Sequence, residues 1–170
     1  MKKTYLVMAV LAACLSWAAV VLAEARDDIQ LYKNCKICGM DRKAFDYSRV
    51  LIEYDDGTTV GLCGMRCAVL DLALNIGKVP KSVKVGDFTS HKLIDAEKAY
   101  WVIGGKKEGT MSSRGKWAFA TKKGASVFIT ANGGRHATYQ KVLKASFEDL
   151  YTDLTTFWEE MKKHSEEREQ

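Results

Sequence analysis

The sequence predicts an α+β fold made of two similar halves, each running strand, turn, strand, helix, followed by a C-terminal amphipathic helix. Three observations carry this. Alternating apolar residues on either side of Asp56-Gly57 mark a hairpin that runs straight into an apolar helical stretch. The same order of strand and helix returns between Ala99 and Ala131. Beyond residue 146, apolar side chains recur at helical spacing up to Met161.

Residues 1–23 read as a targeting segment outside the fold. Lys2 and Lys3 give a charged start, Thr4 to Ala23 is apolar apart from Thr4 and Ser16, and acidic residues begin at Glu24. Val21-Leu22-Ala23 offers a signal-peptidase site. Leu11-Ala12-Ala13-Cys14 resembles a lipobox, whose Cys14 would become lipidated, and an uncleaved segment would serve as an anchor. Each route exports the protein to the periplasm or beyond, and the last two attach it to a membrane through its N-terminus. The remainder suits a single domain. A metal-binding region is expected over 24–145, with halves at about 34–88 and 97–143, and a helix with a polar tail over 146–170.

In the first half, Ser48 to Tyr54 places Val50, Ile52 and Tyr54 on one face of a strand. Asp55-Asp56-Gly57 turns the chain, because Asp-Gly tolerates the positive φ of a tight turn, and Thr58 to Leu62 returns. A helix from about Met65 to Asn75 is apolar nearly all round and is expected to be buried. Asn75-Ile76-Gly77 ends it, and Pro80 blocks its resumption. In the second half, Ala99 to Ile103 and Trp117 to Ala120 are strands that flank a Gly- and Lys-rich loop, Gly104 to Gly115. A helix follows from about Lys122 to Ala131. Ala68, Asn75 and Gly77 align with Ala125, Asn132 and Gly134 at one common offset, which suggests a duplication. In the second copy Ala120 and Gly124 stand where the first has Cys63 and Cys67. The last helix is expected to start at Ser146 as N-cap, with Asp149 three residues on. Its stripe of Phe147, Leu150, Tyr151, Leu154, Phe157, Trp158 and Met161 is expected to cover the sheet.

The formal charge of +5 falls once Lys2 and Lys3 are removed, and the remaining basic residues are scattered rather than striped. Nucleic acid is therefore a poor partner. No acid–base cluster accompanies the cysteines, so no nucleophilic catalytic set is present, and a thiolate lyase would lack the acid that delivers its proton. The protein reads as a non-enzyme.

Its chemistry lies in soft sulfur. Cys35-Lys36-Ile37-Cys38-Gly39-Met40 precedes the hairpin and Cys63-Gly64-Met65-Arg66-Cys67 follows it. In an exported chain such pairs form disulfides or hold a metal. Cys63 sits at a knuckle and Cys67 in the first helical turn, where unpaired N–H groups favour thiolate. With Cys35 and Cys38 this is a treble-clef pattern, and four thiolates would close a structural Zn site. The repeated Cys-Gly-Met points instead to Cu(I), since thioether together with thiolate favours that ion. Met65, at the start of an apolar helix, reads as core and is the weakest ligand candidate. Met40 stands in a polar stretch, and Met111 in a solvated loop, where neither has an evident packing role. His91 and His136 are single and read as surface or strand residues.

Cys35-x-x-Cys38-Gly39-Met40, the Asp56-Gly57 hairpin with its helix, and Met111 ahead of an aromatic strand and Gly133-Gly134 resemble the nitrous oxide reductase accessory (NosL) family. The match spans about Cys35 to Leu143. The resemblance implies an exported, usually lipid-anchored copper chaperone of two ββαβ units, distantly similar in fold to organomercurial lyase. It implies Cu(I) on Cys38, Met40 and Met111, delivered to a periplasmic cuproenzyme such as nitrous oxide reductase. Cys63 and Cys67 depart from the family pattern toward a TRASH-like metal-sensing arrangement, which with Cys35 makes a secondary ligand set. The alternative is a zinc-stabilised treble-clef interaction domain without metal transport.

Overall fold

A computed structural model of the protein describes residues 28–168; Cys14 and the Ala23 cleavage position lie outside them. A short helix α1 (Asp28–Leu31) leads to the hairpin of β1 (Val50–Tyr54) and β2 (Thr59–Leu62). Gly57 turns it with φ +82°. Helix α2 (Met65–Leu74) follows, and the chain returns through β3 (Pro80–Gly86), which pairs antiparallel with β1, and β4 (Leu93–Asp95). The sheet order is β2-β1-β3-β4. The second unit repeats the path. β5 (Tyr100–Ile103) and β6 (Lys116–Phe119) form a hairpin, α3 (Lys122–Asn132) follows, and β7 (Arg135–Ala137) returns beside β5 in the order β6-β5-β7. Each unit is thus ββαβ with its first strand in the middle.

The aligned residues occupy equivalent places. Ala68 and Ala125 are fully buried. Asn75 Nδ2 donates to Asp71 O at 2.8 Å, and Asn132 Nδ2 to Phe128 O at 3.2 Å, so both asparagines close their helix in the same way. The glycines differ. Gly134 has φ +94°, and a Cβ there would come within 2.9 Å of Val102 Cγ1, whereas Gly77 lies in open space. The two sheets meet where Asp87 bridges Ala118, with Phe88 N donating to Ala118 O at 2.8 Å.

Two apolar clusters fill the interior. The larger holds Val50, Ile52, Leu62, Val69 and Trp101 together with Cys35, Cys63 and Cys67. The smaller is aromatic, built on Trp117, Phe119 and Phe128. Beneath the first cysteine pair, the fully buried Arg42 donates to the carbonyls of Leu62, Tyr32 and Val50 and to Asp28 Oδ2 at 2.7 Å. Arg49 reaches the same carboxylate at 2.8 Å. Burial raises the Asp28 pKa, but hydrogen bonds from Arg49 and Arg42 outweigh it and hold the carboxyl below its usual value. This network pins α1 and the knuckle to β1 and β2.

Three expectations need correction. Helix α2 is not buried all round: Met65, Cys67, Ala68, Val69 and Asp71 are buried, while Leu74 near its end is 70% exposed. The last helix, α4 (Tyr139–Arg168), begins before Ser146. Thr138 provides its first bond, accepting from Val142 N at 3.0 Å, while Ser146 is buried within the helix and donates to Val142 O. The expected apolar stripe does not cover the sheet. The buried face is Tyr139, Val142, Ala145, Ser146 and Asp149, and Phe147, Tyr151, Leu154, Phe157, Trp158 and Met161 remain exposed. The helix outruns the domain: 30 residues extend about 45 Å. Among the described residues, no helix is long and apolar enough to cross a membrane.

Candidate metal centre

Cys35 and Cys38 are presented by a tight knuckle. Asn34 and Asp41 bridge its stem, Cys35 N donates to Met40 O at 2.8 Å, and Gly39 N donates to Cys35 O at 2.9 Å. Gly39 takes φ +76°, which a side chain would resist. Lys36 N donates to Gly61 O at 3.0 Å and fastens the knuckle to β2. Cys63 follows β2 directly, and Cys67 lies in the first turn of α2, whose N-cap, Gly64, offers no side-chain cap. In the second unit Thr121 fills that role, its hydroxyl accepting from Gly124 N at 3.1 Å. The cysteine-bearing helix therefore leaves its first N–H groups to other acceptors, and sulfur is at hand.

The four sulfur atoms all lie within 4.8 Å of one another. Cys38 Sγ is 3.5 Å from Cys63 Sγ, and Cys63 Sγ is 3.7 Å from Cys67 Sγ, inside the 4 Å expected for ligands of one metal. The edge of a tetrahedron with 2.3 Å metal–sulfur bonds is about 3.8 Å. All four are free thiols rather than two disulfides. Cys35, Cys63 and Cys67 are buried, and Cys38 is half-buried. Donation from the Cys63 and Cys67 thiols, helped by the backbone N–H groups of Cys38 and Cys63, pulls Cys35 far below an ordinary thiol. The thiolate at Cys35, and burial with it, pushes Cys63 and Cys67 up. A cation that enters such a pocket displaces its remaining thiol protons. The donor set fits a soft metal ion.

The methionines divide three ways. Met65 is 4% exposed and belongs to the core, as its position predicts. Met40 departs from expectation: its side chain packs, partly buried, against the larger apolar cluster, because the knuckle folds it inward. Met111 is 40% exposed and holds φ +56°. It sits at the tip of a turn closed by the Gly109–Ser112 bridge. Met111 and His91 are the non-glycine residues with positive φ among the described residues, and a bulky side chain adopts that conformation at a cost. The turn is docked on the cysteine end of the molecule. Thr110 Oγ1 lies 2.7 Å from Ser48 Oγ, which donates to Cys63 O at 2.9 Å, and a Cβ on Gly64 would touch Thr110 at 3.2 Å.

Sequence reasoning missed what holds that turn. Asp149, expected beside a helix cap, instead accepts from Ser112 Oγ at 2.8 Å and Arg114 Nε at 2.6 Å, and pairs with the buried Lys116. Burial raises the Asp149 pKa, but these partners outweigh it and keep the carboxyl low. The long separation in sequence left no local signal. Arg66, between the two cysteines of the second pair, reaches Asp153 at 2.9 Å. The histidines stay apart from the centre: His91 is an exposed residue 2.7 Å from Asp46 Oδ1, and His136 lies in β7.

No curated protein matches the chain. A similar solved structure is the crystal structure of the copper chaperone NosL from Shewanella denitrificans. It is 22% identical, with a TM-score of 0.53, and the match covers 66% of this chain and 90% of that one. At that identity the likeness concerns the fold, which is the two-unit arrangement described above. The NosL family model matches residues 27–147, from the start of α1 through both ββαβ units into α4. This chain therefore belongs to the NosL family.

Proposed function

We propose that this protein is an exported Cu(I) carrier, a metallochaperone rather than an enzyme, that supplies copper to a periplasmic cuproenzyme such as nitrous oxide reductase. The observation that carries the reading is a four-thiol cluster with one half-buried member, Cys38. A buried set grips a soft ion, while an accessible thiolate lets a partner's ligand enter before the ion leaves. Membership of the NosL family and the fold shared with a copper chaperone support it. Copper is the cargo. In this reading Cys38, Met40 and Met111 contact it, and Cys35, Cys63 and Cys67 complete or shape the pocket. The leader sequence supports export in this reading, either with cleavage after Ala23 or with membrane attachment through Cys14 or an uncleaved N-terminus. The test is competition with a Cu(I) chelator, under anaerobic conditions, for the wild type and for Cys38→Ser and Met111→Ala. Unchanged affinity in both variants would remove the reading.

One observation favours a second reading. Sulfur spacings of 3.5 and 3.7 Å suit a closed tetrahedral Zn site, which would make this a zinc-stabilised treble-clef interaction domain. Its signature is one tightly held Zn and loss of cooperative unfolding on chelation. A metal-free protein that keeps its near-UV CD and melts cooperatively would exclude it.

A further inference from the structure

Met111 sits in a left-handed conformation at an exposed turn, and side chains of a distant helix fasten that turn at its base. The tip touches the cysteine end through Thr110, which meets Ser48 and Gly64. The stem, from Ser112 to Lys116, is gathered onto one carboxylate of α4. Asp149 receives Ser112 Oγ, the Arg114 guanidinium and the Lys116 ammonium together. Ser112 Oγ accepts from Lys116 Nζ at 2.7 Å and lies 3.1 Å from Arg114 O; its single proton is shared between that carbonyl and Asp149, so the stem residues are tied to each other as well as to the helix. Lys116 and Asp149 are both buried, at 8% and 7% exposure. A second strap, Arg66 to Asp153, holds the same stretch of α4 to the first turn of the cysteine helix.

From this arrangement we infer that Asp149 is a positioning residue for metal binding, holding the Met111 turn against the cysteine cluster so that its thioether is presented to the bound ion. The inference rests on the reading of Met111 as a Cu(I) ligand. Its physical reason is entropic. A Gly-rich loop bearing a solvated Met would sample many conformations, and a thioether is a weak ligand whose contribution survives only if the ordering cost is met beforehand. A buried carboxylate with three donors on one stem meets that cost during folding. Asp149 touches no metal ligand directly; it acts through Ser112, the neighbour of Met111.

The test is a double-mutant cycle on the full chain, reading Cu(I) affinity by chelator competition and sulfur coordination by X-ray absorption. Asp149→Asn removes the charge, and Ser112→Ala removes one bond to it without leaving Lys116 unpaired, so at least one variant retains the fold. Each should weaken Cu(I) binding by about tenfold, as outer partners of metal ligands commonly do, and lose one sulfur scatterer. In a Met111→Ala background neither should weaken it further. If Met111→Ala weakens binding while both stem variants bind as wild type, or if the losses add, the inference is overturned and the ligand reading stands. If Met111→Ala itself changes nothing, the ligand reading falls and the inference with it.

Discussion

Cys38 Sγ lies 3.5 Å from Cys63 Sγ, although a complete β-hairpin separates the two residues in the chain. The contact exists because the Cys35–Met40 knuckle is bonded to β2 through Lys36 and Gly61, and Arg42 beneath it is bonded to Leu62. The hairpin thus brings the end of one cysteine pair to the start of the other. Cys38 is the more accessible partner, and Cys63 is fully buried. The site has an inside and an outside.

Cys38→Ser should therefore be the most damaging single change for copper, and the mildest of the four cysteine changes for stability. Its effect on Cu(I) affinity should exceed the roughly 10–100-fold expected of an outer-shell residue. Its thermal midpoint should stay near wild type. Chelator competition and a thermal melt on the same sample check both halves.

Replacing Cys63 and Cys67 together with Ser should lower stability more than it lowers copper affinity. Both side chains are 0% exposed, and each serine hydroxyl left there without a partner costs about 1–3 kcal/mol. Urea unfolding of the metal-free protein measures this. A variant as stable as wild type would show that the pair does not shape the start of the helix.

Gly61 is a steric requirement. A Cβ there would lie 2.5 Å from Tyr32 Cβ and 2.9 Å from the Arg42 guanidinium carbon. Gly61→Ala should destabilise by about 1–3 kcal/mol through displacement of the knuckle, and it should weaken metal binding with the fold retained. Denaturant unfolding paired with a metal titration distinguishes this from a purely global loss.

Asp28 should make the protein acid-sensitive. Its folded pKa is depressed by Arg49 and Arg42, so its stabilisation is complete above the unfolded value near 3.9 and is lost as pH falls through the lower folded value. Asp28→Asn should cost about 3 kcal/mol at neutral pH, since it leaves the buried Arg42 and the nearly buried Arg49 without their carboxylate. The stabilities of variant and wild type should converge as pH drops below about 4. A constant difference across that range would contradict the pairing.

The period of the apolar residues and the turn chemistry were enough to place the two hairpin strands and the helix of each unit, because these are local properties of the chain. The returning strands β3 and β7 were implied only by the family resemblance, and their places are set by pairing with β1 and β5 across long stretches of chain. The Ala and Asn equivalences between the units, being local, were legible too. The start of α4 was not. Ser146 and Asp149 have the composition of a cap, but tertiary contacts bury both, and Thr138 takes the role.

The kind of chemistry was legible in the residues alone: two cysteine pairs at metal-ligand spacing, with methionines close to them and in one solvated loop, are a sulfur donor set suited to a thiophilic metal ion. Folding then sets which sulfurs share a pocket, leaves Cys38 alone of the four partly open, and packs Met40 inward while Met111 stays out. It also decides that Asp149 on the last helix anchors the Met111 turn from 33 residues or more away. Ligand type is written in side-chain chemistry and short spacing. Ligand geometry depends on burial and on pairing between distant segments, which no local pattern encodes.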